Sequence, residues 1–296
     1  MDLFLIDSTG DTQAATTLSR AVEAAASKLA SISDSSRLEA EVLLVHLLSE
    51  SRAFLRTWPD RTLSPTQLDS YCKLVAQRRN GCPIAYLTGT REFWSMDFNV
   101  SPAVLIPRPE TELLVESALE LFPVDQQISV LDLGTGSGIV GVAIAWERPQ
   151  SQVLCTDISL EAIRIAQGNA RKFGLNNICF IESDWFRLVA GGNFDLIVSN
   201  PPYIADNDPY LDSGDLLYEP EIALRSGPRG LDALGTIANQ ARARLKSGGF
   251  LLLEHGFDQG PSLERLLAAY GYQQISRRKD LQGHPRMTLS RWLDAN

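Results

Sequence analysis

The chain has 296 residues, enough for one large domain and a second small one, and 44% of its residues are hydrophobic while 21% are charged. Its formal net charge is −9 at pH 7. This acidic balance argues against binding of nucleic acid through its phosphate backbone, because such binding needs a surplus of Lys and Arg.

The cysteine pattern argues against a metal site or a disulfide framework. Cys72, Cys82, Cys155 and Cys179 are scattered, with no C-x-x-C spacing. Reduced thiols are typical of a cytoplasmic protein. The N-terminal residues lack the basic segment of a targeting signal, and the longest apolar stretch, at 42–48, is too short to span a bilayer. We therefore expect a cytoplasmic protein with no metal ion and no membrane partner.

The first 82 residues predict a small domain made only of helices. An Ala-rich helix is predicted from about Thr12 to Leu29, and a second between Ser33 and Glu50, where Leu and Val recur at helical spacing. A third helix has Ser64 as its N-cap, Pro in its first turn and two Arg residues in its last turn.

From Pro83 the pattern changes to strands and then to a strand–helix alternation. Residues 83–108 predict a short hairpin that leads into a helix at Glu110. Strands are predicted at 128–134, 152–157, 178–183, 194–200, 250–256 and 287–292, and helices at 138–149, 159–174, 231–249 and 261–270. This alternation predicts an α/β fold with an open, mostly parallel sheet, covered by helices on both faces. Ligands of such folds bind at the carboxyl ends of the strands.

The segment "LDLGTGSGIVG" contains two overlapping glycine patterns. Gly136, Gly138 and Gly141 satisfy the G-x-G-x-x-G pattern of dinucleotide-binding proteins. Asp132, followed by Gly134, Gly136 and Gly138, forms the second pattern. An acid before the loop would repel a pyrophosphate but would favour the sulfonium and amine of S-adenosylmethionine.

Acidic residues also end the second and third predicted strands. Asp157 is placed to accept hydrogen bonds from both ribose hydroxyls of such a cofactor, and Asp184 from the adenine amino group, with Trp185 beside the ring. The alternative is that the glycines only pack a helix against a strand and the acids only cap helices.

The fourth strand ends in "NPPY", a segment with an unusual set of groups. Two prolines cannot continue the hydrogen-bond ladder of a strand. The side-chain oxygen of Asn200 and the carbonyl of Pro201 are two acceptors that can hold both N–H groups of a planar –NH2. Pro201 and Pro202 make the second acceptor rigid, and the ring face of Tyr203, rather than its hydroxyl, supplies a surface for the amide. The alternative is a strained strand exit with a stacking Tyr.

Six motifs occur in family order over about residues 30–296: "PIAYLTGTREFWSMDFNVSP", "LIPRPETE", "LDLGTGSG", "SDWF", "VSNPPYI" and "GGFLLLEHG". Together they resemble the protein-(glutamine-N5) methyltransferases that modify peptide chain release factors. The resemblance implies a Rossmann-like, seven-stranded class I methyltransferase domain at 83–296. It also implies a helical N-terminal domain and, as substrate, a release factor with a Gly-Gly-Gln motif. Because the helices at 1–82 show no polar catalytic cluster, we expect this domain to dock the substrate.

The resemblance also implies roles for individual residues. The cofactor S-adenosyl-L-methionine would contact Gly134, Thr135, Gly136, Ser137, Gly138, Asp157, Trp185 and Asn200. The substrate glutamine would be held, and its methylation catalysed, by Asn200, Pro201, Pro202 and Tyr203. One departure from the family pattern is "RSGPRGLD" at 225–232, which we interpret as a detail of a surface loop away from the motif residues.

Two other functions compete with this interpretation. An adenine-N6 DNA methyltransferase would use the same clamp on a flipped base, but the acidic balance and the lack of a second, DNA-reading domain argue against it. A nucleotide-binding or NAD-dependent protein would use Gly136 to Gly141 but would leave Asn200 to Tyr203 unexplained. The sequence near Asn200 contains no His or Lys that could act as a general base. We therefore expect the proton that the methylated amide releases to pass to solvent.

Overall fold

The computed structural model describes residues 16–294, and the chain forms two compact units, Met1–Gly89 and Thr90–Asn296. The first unit contains five helices within its described residues: α1 (Leu18–Leu29), α2 (Ser36–Leu48), α3 (Arg52–Thr57), α4 (Pro65–Arg79) and α5 (Ile84–Thr88). The three helices that the sequence predicts are confirmed, although the first begins at Leu18 rather than near Thr12, and residues 12–15 lie outside the described part. The sequence did not predict α3 and α5, which are too short to show a helical period.

Local capping and one shared core explain these helices. Ser64 and Gln67 form a capping box at the start of α4, in which each side chain accepts from the other residue's backbone N–H. The apolar side of α2 is formed by Ala40, Leu43 and Leu44, which are buried, whereas Leu38 is 43% exposed. The helical period of α2 was therefore visible in the sequence, but its most buried positions were not.

The second unit opens with the predicted hairpin. Strands β1 (Thr90–Phe93) and β2 (Met96–Asn99) pair antiparallel. The next helix begins as a 3₁₀ turn at Pro109–Thr111 and continues as α6 (Glu112–Leu121). This turn brings Thr111 into the protein interior, where it is fully buried.

The predicted strand–helix alternation follows and is confirmed, with two corrections. Its elements are β3 (Ser129–Leu133), α7 (Ile139–Glu147), β4 (Gln152–Asp157), α8 (Leu160–Lys172), β5 (Ile178–Glu182), β6 (Phe194–Ser199), α9 (Asp232–Ala241), β7 (Leu245–Glu254), α10 (Gly260–Ala269), β8 (Gln273–Lys279) and β9 (Pro285–Arg291). The helix predicted at 231–249 ends at Ala241, because β7 starts at Leu245 to pair with Phe194. Strand β8 was not predicted, because its "QQISRRK" sequence is polar and largely exposed.

The seven strands form one sheet in the order β5-β4-β3-β6-β7-β9-β8. The five strands from β5 to β7 are parallel, and β9 runs antiparallel to both of its neighbours. Side chains alternate between two cores: Leu196 and Val198 of β6 pack with α6 and α7, while Ile197 packs with α9 and α10. Burial on both faces explains the continuous apolar run of this strand.

The sheet order places the predicted site. Strand β3 lies in the middle of the sheet, with β4 on one side and β6 on the other, so the connections after β3 and after β5 lead to opposite sides of it. At such a point a crevice opens at the carboxyl ends of the strands. The residues that follow β3, β4, β6 and β7 therefore meet at one edge. Within residues 16–294, helices of the length and apolarity needed to cross a membrane are absent.

Candidate active site

A cavity of about 440 Å³ lies at this edge of the sheet. We call it the first chamber. Most residues that the sequence assigns to the cofactor line it: Gly134, Thr135, Gly136, Ser137, Asp157, Trp185 and Asn200. Gly138 is the exception. It is the N-cap of α7 with φ +87°, and a Cβ there would lie 3.0 Å from the Cβ of Ala166, so this glycine shapes the loop behind the chamber.

The buried side chain of Asp132 connects the two ends of the glycine loop by hydrogen bonds. Its Oδ2 accepts hydrogen bonds from the Thr135 hydroxyl (2.6 Å) and from the Gly141 N–H (3.0 Å), which lie on opposite sides of the loop. Burial raises the pKa of the Asp132 carboxyl to about 6, and the two hydrogen bonds partly offset this rise. The acid that ends β3 therefore has a structural role in the loop and also faces the chamber.

Gly141 is required by packing. A Cβ at this position would lie 2.3 Å from the Sγ of Cys155 on β4, so α7 can approach the sheet this closely only because the residue is glycine. Close packing of a helix on a strand is also the role of the third glycine in dinucleotide-binding proteins, so Gly141 does not distinguish between the two glycine patterns.

We expect Gly141→Ala to destabilise the fold by about 1–3 kcal/mol through overpacking. Gly168 is the matched control, because it also lies in a helix but a Cβ there meets no atom within 4 Å. Gly168→Ala should stabilise the protein by about 0.5–1 kcal/mol. Urea unfolding of both variants measures these changes. Equal effects of the two substitutions would show that the contact with Cys155 is relieved at little cost.

Asp157, the last residue of β4, links the glycine loop to the next helix. Its Oδ2 accepts from the Gly136 N–H and its Oδ1 from the Ser159 N–H, both at 2.9 Å. Burial raises the pKa of the Asp157 carboxyl, whereas these backbone N–H groups lower it. Each carboxylate oxygen can accept more than one hydrogen bond, so the side chain remains able to bind a pair of hydroxyls in the chamber.

Trp185 and Asp184 line the chamber beyond the end of β5. A Cβ on Gly134 would lie 3.5 Å from the indole of Trp185, so the ring lies directly beside the glycine loop. Trp185 has φ +46°, an uncommon backbone conformation for a bulky residue. The indole presents a flat apolar surface of the kind on which a purine ring stacks.

The chamber suits S-adenosylmethionine in size and charge. Its volume is within the usual range of small-molecule sites, about 300–1,000 Å³. Four carboxyl groups line it (Asp132, Asp157, Asp184 and Asp232) against two guanidinium groups (Arg108 and Arg225). Such an acidic lining favours a ligand with sulfonium and ammonium groups over a pyrophosphate. In the part of the chain that the structure describes, no cluster of His, Cys, Asp and Glu could hold a metal ion.

A second chamber of about 610 Å³ adjoins the first. Asn200 lines both, Pro202 lines the first, and Pro201 and Tyr203 line the second. The four residues of the predicted clamp therefore lie where the two chambers meet. Strand β6 is held at this point by the Ser199 hydroxyl, which donates to the Leu133 carbonyl at 2.7 Å.

The amide of Asn200 has a defined orientation. Its Nδ2 donates to the Thr111 hydroxyl at 3.1 Å. Among residues 16–294, no donor bonds to Asn200 Oδ1 or to the Pro201 carbonyl. The two acceptors that the clamp requires are thus available, and the amide nitrogen of Asn200 is occupied elsewhere.

Tyr203 is fixed through both its backbone and its hydroxyl. Its carbonyl accepts from Gln259 Nε2 (2.8 Å), and its hydroxyl donates to Glu254 Oε1 (3.2 Å). The sequence suggested a role for the ring face alone and did not identify Thr111, Gln259 or Glu254. A signal existed for Glu254, since it ends a buried strand at the same edge of the sheet.

The segment 225–232 is not a remote surface loop, as the sequence suggested. Arg225, Gly227 and Asp232 line the first chamber. A Cβ on Gly230 would lie 2.2 Å from the Tyr203 carbonyl oxygen, so this loop packs against the clamp. The departure from the family pattern therefore falls beside the site, because the chain after the clamp folds back onto it.

Two family models match parts of the chain. The family model "Methyltransferase small domain" matches residues 110–227, and the model "PrmC N-terminal domain" matches residues 20–89. A methyltransferase from Pyrococcus furiosus has the same fold, with a TM-score of 0.51 at 18% identity over 74% of this chain and 98% of that one. A Thermus thermophilus 16S rRNA N2 G1207 methyltransferase, solved with AdoMet and guanosine, also has a TM-score of 0.51. It is 21% identical over 69% of this chain and 49% of that one.

The fold and the matched model define a class I, S-adenosylmethionine-dependent methyltransferase. Proteins named release factor glutamine methyltransferase are similar over nearly the whole chain. The Xylella fastidiosa protein is 50% identical over 86% of this chain and 93% of its own length. The Escherichia coli protein is 44% identical over 88% of this chain and 94% of its own length. The Shewanella oneidensis protein is 42% identical over 93% of this chain and 96% of its own length. The chain belongs to the release factor glutamine methyltransferase family.

Proposed function

We propose that this enzyme transfers a methyl group from S-adenosylmethionine to the side-chain amide nitrogen of the glutamine in the Gly-Gly-Gln motif of peptide chain release factors. The observation that carries the proposal is Asn200, which lines both chambers with its Oδ1 available. The names of the relatives support the choice of substrate. No observation favours the adenine-N6 DNA methyltransferase.

The cofactor would lie in the first chamber, where it supplies an activated methyl group. We assign its ribose hydroxyls to Asp157 and its adenine ring to the face of Trp185, with the glycine loop Gly134 to Gly138 around its remaining part. Thr135 and Ser137 line the chamber as parts of this loop, and Asp132 adds negative charge on the side where a sulfonium is favoured.

The substrate amide would enter through the second chamber. Asn200 Oδ1 and the Pro201 carbonyl each accept one N–H of the glutamine –NH2. Their position at the junction turns the nitrogen lone pair toward the first chamber, while Pro202 keeps the backbone rigid and Tyr203 packs against the amide plane. An amide nitrogen is a weak nucleophile, so catalysis depends mainly on positioning, which can contribute about 7–11 kcal/mol when reacting atoms are held in line.

Radiolabelled methyl transfer to purified release factors tests the proposed function. We expect label in an intact factor and none in a factor whose Gly-Gly-Gln glutamine is replaced by another residue. Adenine-containing DNA serves as the second substrate. Labelled DNA with unlabelled release factor would contradict the proposal and favour the nucleic-acid alternative.

We further propose that the helical domain predicted at 1–82 docks the release factor and takes no part in the chemistry. Deleting residues 1–82 should raise the KM for intact factor and leave the affinity for S-adenosylmethionine nearly unchanged. Steady-state kinetics and calorimetry measure the two quantities, with a thermal melt as the control for folding. A folded, truncated enzyme with the wild-type KM would contradict the docking role.

A further inference from the structure

A buried carboxylate lies behind the clamp and accepts a hydrogen bond from the Tyr203 hydroxyl. Glu254 is the last residue of β7 and is only 2% exposed. It lines the second chamber, and its Oε1 accepts the hydrogen bond from the Tyr203 hydroxyl at 3.2 Å. Its Oε2 is buried, and among the described residues no hydrogen bond to this atom meets the usual limits of distance and angle. Burying a carboxylate is costly to the fold, which suggests a function.

The second neighbour of Glu254 is Thr111, which is completely buried. The Thr111 hydroxyl accepts from Asn200 Nδ2 at 3.1 Å. The same hydroxyl lies beside the Glu254 carboxyl, and its hydrogen bonding lowers the pKa of that carboxyl. Thr111 therefore stands between Glu254 and the amide of the clamp.

The direction of the hydrogen bonds from Asn200 through Thr111 to Glu254 decides how the Asn200 amide is oriented. A hydroxyl has one proton to donate, and an ionised carboxylate can only accept. If Thr111 directs its proton to Glu254, its lone pairs face Asn200. Asn200 must then present Nδ2 to Thr111, and its Oδ1 must face the substrate amide.

We propose that Glu254 is a positioning residue for methyl transfer: through Thr111 it holds the Asn200 amide with Oδ1 toward the substrate, and through Tyr203 it holds the ring that packs on the substrate amide. The inference rests on the proposed function and deepens it. It concerns the order of donors and acceptors in the clamp and does not require Glu254 to touch substrate or cofactor.

The protonation state of Glu254 is part of this arrangement. Burial raises the pKa of the Glu254 carboxyl to about 7; the hydroxyls of Thr111 and Tyr203 and the charge of Arg286 lower it, and Glu110 raises it. Further charged or titratable groups at this place are His255, the next residue, Asp280, which pairs with Arg286, and Arg108, whose charge acts on Tyr203. A protonated Glu254 can itself donate a hydrogen bond. It then no longer forces Thr111 to donate toward it, and the orientation of the Asn200 amide is no longer fixed. The kcat should therefore fall as the pH drops through about 7.

Glu254→Gln tests the inference, because it keeps the shape of the side chain while an –NH2 replaces one acceptor. We expect kcat to fall roughly 10- to 100-fold, as for the loss of an outer partner that orients a reacting group. The decline of kcat below pH 7 that Glu254 causes should disappear, and the Kd for S-adenosylmethionine should stay within about twofold. Glu264→Gln is the matched control. Glu264 forms an ion pair with Arg277 on α10 and β8, away from both chambers, and this variant should behave as the wild type.

A second set of variants tests whether Glu254 acts through Thr111. Thr111→Val removes the hydroxyl at nearly constant volume, and Thr111→Ser keeps the hydroxyl and should restore most of the kcat that Val loses. Adding Glu254→Gln to Thr111→Val should lower kcat much less than it does in the wild type, since residues of one network are not additive.

Folding stability gives a readout that does not depend on activity. Because the pKa of Glu254 is raised in the folded state, its contribution to stability is present below the ordinary pKa of glutamate and is lost as the pH rises to about 7. Urea unfolding from pH 4.5 to 8 should show a loss of stability in the wild type that is smaller in Glu254→Gln.

The outcomes separate the two proposals. A wild-type enzyme that does not methylate the release factor refutes the proposed function. An active wild type, with a Glu254→Gln variant of unchanged kcat and pH profile, overturns the positioning role alone. A loss of kcat that is equally large in the Thr111→Val background would overturn the orientation of Asn200 by Glu254, since Glu254 would then not act through Thr111.

Discussion

Asn200→Ala is expected to lower kcat by a factor of roughly 10²–10³, comparable to the removal of one preorganised polar partner of a reacting group. The substitution deletes the Oδ1 acceptor at the junction of the chambers and also the bond from Nδ2 to Thr111. The affinity for S-adenosylmethionine should fall much less, since most of the first chamber is built from other residues.

Single-turnover methyl transfer to a release factor measures this effect without interference from product release. Asn193→Ala is the matched control, because Asn193 is exposed in the loop before β6. A near-wild-type rate for Asn200→Ala, in a variant that binds the cofactor normally, would rule out the clamp as the source of catalysis.

Asp157→Ala is expected to weaken the binding of S-adenosylmethionine by about 1.5–3 kcal/mol, or roughly ten- to a hundredfold. The substitution removes the acceptor that we assign to the ribose hydroxyls. It also releases the Gly136 N–H, whose bond to Asp157 Oδ2 holds the glycine loop. Both effects act on the free energy of binding, and kcat at saturating cofactor should change less.

Isothermal titration calorimetry measures the affinity directly. Asp125→Ala, at an exposed carboxylate before β3, controls for the loss of one negative charge. Asp157→Asn keeps one acceptor oxygen and should bind the cofactor with intermediate affinity. Unchanged affinity in a folded Asp157→Ala variant would exclude Asp157 from the cofactor site.

Local sequence signals were sufficient for most of the fold. The cap at Ser64 and the strand–helix alternation after residue 128 depend on neighbours within a few turns, so the chain shows them directly. The alternation also implied a mostly parallel sheet, which brings the carboxyl ends of its strands to one edge. For this reason Gly134, Asp157 and Asn200 were predicted together although they are far apart in the chain.

The same local signals failed where pairing between distant strands decided the structure. Strand β8 was not predicted because it lies at the edge of the sheet and exposes polar residues. The start of β7 at Leu245 depends on its pairing with Phe194, while the sequence around it continues a helical pattern. Gly138 and Gly141 resemble the other loop glycines in sequence, but the packing of α7 against α8 and β4 places them behind the chamber.

The sequence by itself determined the class of fold, the family and the residues at the ends of the strands, because these follow from short-range periodicity and from motifs in a fixed order. Only the tertiary structure decided which groups surround the clamp. Thr111 reaches Asn200 across 89 residues of chain, and Glu254 reaches Tyr203 across 51. Such contacts form when the 3₁₀ turn before α6 and the end of β7 pack at the same edge of the sheet. The direction in which the Asn200 amide points is therefore a property of packing and hydrogen-bond polarity, which no local pattern in the sequence records.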